Sequence, residues 1–321
     1  MIEKIRRDPE QGWREIRDTC DWLSLRQFLE LHGWSSEAIE LYGLLENTES
    51  EMDTSILEIV REEVDESFGE TYQIQGGTDQ LTHALYRGLA PNVRLGAVVR
   101  AIEQDSCSVT VHCESAGGRF SETADYMICT IPFPVLRHIE VLTPFSRAKQ
   151  RAIRELHYYS SGKIFLQSRS RFWETKDGIY GGRTQTDLPI RTLYYPQHGQ
   201  ETGRGVLLAS YTWGQDAERW SALTESDRIA RAVEYVAKIH PEIVTEVEGG
   251  VSHMWQNDPY AGGAYALYQP GQETLFAEAG AAAEGRIYFA GEHVARMRAW
   301  MQSAIETGIQ AAYDIHSAAD A

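Results

Sequence analysis

The feature that most constrains this chain is a change of period near Tyr72. Before it, residues 1 to about 70 read as helices, with apolar side chains at helical spacing and no alternating run. Ser24-Leu-Arg-Gln27 is a capping box for a helix that ends near Gly33. Ser36 is placed to cap a second helix carrying Ala38, Ile39, Leu41, Tyr42, Leu44 and Leu45, and a third stretch runs from about Ser55 to Phe68. After Tyr72 one more helix is expected, over Asp79 to Leu89, and then short strands take over. VVRAIEQ, SCSVTVHC, GRFSE and DYMICTI read as a meander that turns at Gly117-Gly118 and is ended by Pro132 and Pro134. Further strands are expected at GKIFLQS, RTLYYP, GVLLASYT and GGVSHMW, interrupted by a helix from about Glu225 to His240 that Thr224 caps. The last elements are a strand at RIYFAGE and a helix from about Trp300 to His316. A strand that stops at Gly-Glu and feeds a helix N-terminus is a common anion-binding arrangement.

Charge and cysteine content exclude several classes of function. The 321 residues carry a formal net charge of -17, and nucleic acids or anionic membranes demand a basic face. The length allows a large core or several packed lobes. Cys20, Cys107, Cys113 and Cys129 form no CxxC or Cys/His ligand spacing, so no metal site is expected. Cys107 and Cys113 are expected on one face of a strand. No apolar run has the length of a membrane span, and MIEKIRRDPEQGW has no apolar signal core. The expectation is a soluble, cytoplasmic protein, or a secreted one if a longer precursor carries a signal.

Three stretches in order point to a family. They are GGTDQLTHALYRGL (76–89) followed by VVRAIEQ, then WQNDPYAGGAYALYQPG (255–271), then IYFAGEHVARMRAWMQSAIETGIQAA (287–312). Together they resemble the flavin monoamine oxidase superfamily. HYYSSGKIFLQSRSRFWETKDGIYGGRTQTDLPIRTLYYP, between the first two, is most like the L-amino-acid oxidases. The resemblance implies a mixed α/β (α+β) fold, with an incomplete Rossmann-like FAD-binding domain and a substrate domain with a mixed sheet and a helical insertion. It assigns residues 1–72 to the insertion, 73–155 and 281–321 to the FAD domain, and 156–280 to the substrate domain. It implies non-covalent FAD, because Ala264 stands where some relatives carry the cysteine that bonds to the flavin.

The resemblance also assigns residues. Lys163 is the lysine that holds a water against the flavin and is the catalytic candidate. A lone lysine in a strand is otherwise simply exposed. Tyr211 matches a tyrosine that bonds the substrate carboxylate, as a neutral phenol can in a dry pocket. Tyr265 and Trp300 match the aromatic pair flanking the substrate nitrogen, with Ala299 beside them, and flat walls of this kind orient an amine and exclude water. Trp255 packs on the flavin, and Val98 meets the adenine through its backbone. Gly291 and Glu292 hold the ribityl or phosphate arm, although Glu292 alone would read as a plain helix-start acid. Trp300, Met301 and Gln302 open the last helix, whose N-terminus suits the negative charge that gathers on a reduced flavin. Trp173 reads as core, and Trp213 as a candidate for tuning specificity.

Departures from the family pattern matter equally. No strand–GxGxxG–helix unit with a following acidic residue is present, and GGTDQL has the wrong glycine spacing. The arginine that clamps a substrate carboxylate bidentately is also absent from these residues. Arg61 stands about where these oxidases often carry a mobile histidine, which puts the base or gate role in doubt. A split oxidase with an N-terminal partner chain, a truncated gene and a non-catalytic remnant all fit. The expected small molecules are an L-amino acid, or alternatively a monoamine or polyamine, together with O2, and a homodimer is a further possibility.

Overall fold

The computed structural model describes residues 1–70, 72–199 and 202–319. The expected closing segment 281–321 therefore ends on two residues outside the described ones. The chain divides into two compact units: Met1–Thr19, Leu57–Glu155 and Thr274–Ala321 form the first, and Cys20–Ile56 and Leu156–Glu273 the second. The architecture is mixed α/β, with several sheets.

In the first unit, β1 (Val98–Gln104), β2 (Val109–Ser115) and β3 (Gly118–Ala124) form the expected antiparallel meander. Cys113 sits on β2 and is buried, but Cys107 lies in the turn before it and is exposed. The Asp105 carboxylate accepts the Cys107 and Ser108 backbone N–H groups and so tightens that turn. The expectation of one strand face for both cysteines is thereby corrected.

The fourth stretch also departs from expectation. β4 (Met127–Cys129) leaves the meander, while β5 (Glu140–Val141) adds to β1 in parallel. β4 pairs in parallel with a strand at Ile287–Phe289, and the helix Met301–Ala319 packs on this pair. Among the described residues neither strand of the pair has a second neighbour.

The second unit is organised by a five-stranded antiparallel sheet. Its strands are β7 (Ser161–Ser168), β8 (Arg183–Gln185), β9 (Thr192–Tyr194), β10 (Gly205–Trp213) and β11 (Val247–Met254), in the order β11-β7-β10-β9-β8. β6 (Tyr158–Tyr159) pairs with β12 (Tyr265–Ala266) in a small ribbon. Ile164 and Leu166 of β7 and Leu207 and Ala209 of β10 point to one face, into a core with Trp173, Leu193, Trp220 and Val236. Trp173 is fully buried, as expected of core. Strand alternation therefore sends Lys163 to the opposite face. β13 (Ile287–Phe289) returns the chain to the first unit.

The helix caps follow local chemistry. The Ser24–Gln27 capping box forms at the Leu25–Leu31 helix, and Thr224 caps Glu225–Val236 by accepting the Asp227 N–H. At Ser36–Glu46 the cap is Ser35 rather than Ser36, accepting from the Ala38 N–H at 3.2 Å.

Candidate active site

The second unit gathers four of the expected residues. Lys163 on β7 lies opposite Tyr211 on β10 and His253 on β11. Its Nζ is 4.4 Å from the Tyr211 ring centroid and 5.6 Å from that of Trp255, which follows β11 in a short 3-10 turn. Burial alone lowers the Lys163 pKa from its ordinary value, and among the described residues no carboxylate pairs with it. An ammonium held by two aromatic faces and no counter-ion is unusual for a strand lysine.

Tyr211 packs at a tilt against Trp213, with centroids 4.1 Å apart, and approaches Tyr194 at 6.3 Å. Burial raises the Tyr211 pKa, so its phenol stays neutral and can donate. Tyr265 on β12 lies parallel to Tyr159, at an interplanar angle of 6°. Its hydroxyl donates to Glu51 at 3.4 Å. The neighbouring Ala264 uses its backbone N–H to hold the Tyr159 carbonyl at 2.8 Å.

The first unit gathers the other expected residues. Gly291 follows β13 with φ +135°, and a Cβ there would lie 2.5 Å from the His293 ring. Only glycine takes this conformation readily. Glu292 accepts the Ala299 backbone N–H at 2.8 Å, which closes the 292–299 loop. The strand therefore reaches the last helix through this loop rather than feeding it directly, and the helix starts at Met301 instead of Trp300.

Ala299 itself has φ +66°. A left-handed alanine costs about 1 kcal/mol or more and persists only where its surroundings enforce it. Trp300 follows, with its ring 5.5 Å from Phe68 at 59°. Met301 and Gln302 are exposed at the start of the 19-residue helix, whose first N–H groups have no partner within the helix. Val98 opens β1 opposite Glu114, half-buried.

The sequence matches the family described as flavin-containing amine oxidoreductase over residues 25–316. The chain belongs to that family. It is 39% identical over 323 residues to YobN of Bacillus subtilis (strain 168), covering 98% of this chain and 67% of the relative. The L-amino-acid oxidase of Siganus canaliculatus is 36% identical over 98% of this chain and 61% of its own length. That of Vipera ammodytes ammodytes is 36% identical over 95% of this chain and 64% of its own length. The chain thus spans about two thirds of the length of these curated relatives, and less than that for the last two. The fold is similar to cyclohexylamine oxidase from Brevibacterium oxydans IH-35A, with TM-score 0.77 and 18% identity over 94% of this chain and 69% of that one. Putrescine oxidase has TM-score 0.78 and 20% identity over the same shares.

The cofactor of a flavin-containing amine oxidoreductase is a flavin, and the residues present fit one in part. The exposed first turn of the Met301–Ala319 helix suits the negative charge that a flavin gathers on reduction. The glycine-rich turn for a pyrophosphate is not in this sequence. Among the described residues no group of His, Cys, Asp or Glu could hold a metal, and no helix is long and apolar enough to cross a membrane.

The structure adds Glu58, Glu62 and Arg298, which sequence reasoning missed. Arg61 and Arg298 both donate to Glu58 Oε1, at 2.7 and 2.8 Å, and all three side chains are buried. Arg61 also lies 5.1 Å over Trp13. Glu62, one residue on, has its pKa raised to about 7, chiefly by burial, and the buried Trp300 indole N–H has no hydrogen-bond partner among the described residues. The run of charges in REE gave no hint of which carboxylate turns inward.

Proposed function

We propose that this chain carries the substrate side and part of the cofactor side of an FAD-dependent L-amino-acid oxidase. The observation that carries the reading is the Lys163 ammonium, desolvated between Tyr211 and Trp255 without a counter-ion. FAD, bound without a covalent link, would supply the two-electron oxidation of the Cα–N bond to an imino acid, which water hydrolyses to a 2-oxo acid and ammonia while O2 becomes hydrogen peroxide. Lys163 would hold a water near the reacting centre, and its lowered pKa keeps the proton exchangeable there. Tyr211 would donate to the substrate carboxylate. Tyr265 and Trp300 would orient the amine and keep water out. Glu292 and the first N–H groups of the Met301–Ala319 helix, with Trp255, Gly291, Met301, Gln302 and Val98, would hold FAD. In this reading residues 1–72 are the helical insertion, 73–155 and 281–321 serve the cofactor, and 156–280 serve the substrate. The pyrophosphate site is supplied by residues outside this sequence, on a partner chain or a longer form of this one.

Identity to proteins named L-amino-acid oxidases favours an amino acid over a plain amine as substrate. The test is an absorbance titration with FAD, for this chain alone and with the N-terminal third of the Bacillus relative added, followed by peroxide assays with L-amino acids and primary amines. Bound flavin that bleaches with L-amino acids supports the reading; bleaching only by amines, or no flavin in either case, refutes it. In the loaded protein Lys163→Met is expected to slow turnover about a hundredfold, measured as peroxide release at saturating substrate.

A further inference from the structure

We propose that the second unit carries a further binding site, apart from the Lys163 cluster, for the zwitterion of an α-amino acid with an apolar side chain. Arg231 takes its carboxylate and Asp187 its ammonium. The inference goes beyond the oxidase reading and does not rest on it.

The site is a cavity of about 370 Å³. It is lined by the 186–191 loop that joins β8 to β9 and by the helices Gly214–Ser221 and Glu225–Val236. That volume lies in the range of small-molecule sites. The loop is held in place on both sides. The Trp220 indole donates to the Pro189 carbonyl at 2.9 Å, and the Ser210 hydroxyl donates to the Ile190 carbonyl at 3.1 Å. Trp220 and Tyr235 meet edge to face, with centroids 6.3 Å apart, and with Leu223 they give the cavity an apolar wall. Among the described residues, the lining includes none of Lys163, Tyr211 and Trp255.

Charge decides what the cavity takes. Asp216 accepts from Arg191 and Arg219, each at 2.8 Å, and Arg191 also pairs with Glu49. These two acids and two guanidiniums satisfy one another. Asp187 on the loop and Arg231 on the helix Glu225–Val236 also line the cavity, and neither has a hydrogen bond or ion pair among the described residues. A guanidinium matches a carboxylate bidentately, and a carboxylate without a partner suits an ammonium. A molecule that carries both charges and an apolar body meets both groups and the wall at once. A 2-oxo acid has no ammonium and brings only a like charge to Asp187. A plain amine has no carboxylate for Arg231.

The test is titration calorimetry on the full chain without flavin. The probes are L-leucine, 4-methyl-2-oxopentanoate and 3-methylbutylamine, which share one side chain. L-leucine is expected to bind at least about tenfold more tightly than either analogue. Arg231→Gln and Asp187→Asn should each weaken L-leucine by about tenfold or more, and Asp187→Asn should also narrow the gap to the oxo acid. Both replaced side chains are exposed, so neither change removes a buried contact. Tyr211→Phe should leave the binding in place. No binding of L-leucine, equal binding of all three probes, or binding that Tyr211→Phe removes and Arg231→Gln spares overturns the proposal. Failure of the oxidase reading would show as no flavin binding and no peroxide, while the calorimetry would still decide this site.

Discussion

The two units solve the burial problem to different degrees. The second closes a five-stranded antiparallel sheet over a core of Trp173, Leu193, Leu207, Trp220 and Val236, all nearly or fully buried. The first holds a meander, a lone parallel pair and the helix Asp79–Leu89, none of whose residues is buried. Its last helix also leaves Met301, Ile305, Ile309 and Tyr313 exposed at intervals of one turn. Parallel strands are normally covered on both faces, and an isolated pair is marginal on its own. In the second unit the apolar pattern is satisfied locally; in the first, among the described residues, it is not.

The largest expected effect lies in the second unit. Trp173 is fully buried, and its ring packs so closely on Gly205 that a Cβ there would lie 2.2 Å from it. Trp173→Ala should cost about 3–5 kcal/mol, read as the fall in denaturant midpoint of the unfolding transition that reports this sheet. A loss below about 1 kcal/mol would mean that this core is looser than its geometry, and the contrast between the units would weaken.

A smaller effect is expected from a charge buried in the first unit. Lys149 is fully buried, donates from Nζ to the Gly280 carbonyl and lies 3.6 Å over the Phe289 ring. Burial lowers its pKa to about 7, with Glu284 acting in the opposite direction. The folded pKa lies below the unfolded value of about 10.4. Between them the unfolded chain binds more protons, so stability rises with pH above about 7 and levels off near the unfolded pKa. The gain should be about 2 kcal/mol from pH 7 to pH 9. Chemical denaturation at both pH values should show it in the native protein and not in Lys149→Met. An equal gain in the variant would mean that another group carries the linkage.

How much was legible in the sequence follows the same divide between local and distant causes. The helix Asp79–Leu89 and the strand Val98–Gln104 fall where periodicity put them, because period and turn signals are local. The Ser24 capping box was equally plain. The partner of DYMICTI was not, since Ile287–Phe289 is far away in sequence and a meander is the simpler reading of four successive strands. Ser36 was read as the cap of the second helix, but Ser35 holds that place by accepting the Ala38 N–H. Lys163 was visible only through the family pattern, and its aromatic setting depends on strand register across β10 and β11. Glu58 and Glu62 lie in a run of like residues, where tertiary burial alone distinguishes them. The residues before Tyr72 read as a series of helices, and nothing local in them marks that Cys20–Ile56 groups with the second unit.

The smallest expected effect bears on the exposed apolar face. Leu85 and Leu89 are more than half exposed on the Asp79–Leu89 helix. Apolar positions on this scale usually mark a surface meant to be covered. If nothing covers it in the isolated chain, Leu85→Ser changes unfolding free energy by less than about 0.5 kcal/mol, because no buried contact is lost. The same substitution should lower self-association, measured by sedimentation at rising protein concentration, since it removes sticky area. A stability loss above about 1 kcal/mol that depends on protein concentration would show a second copy of the chain seated on this face. The incompleteness of the first unit would then be relieved by self-assembly. A concentration-independent loss of the same size would place the cover within the chain itself, and the comparison between the two units would fail at the helix where it is drawn most sharply.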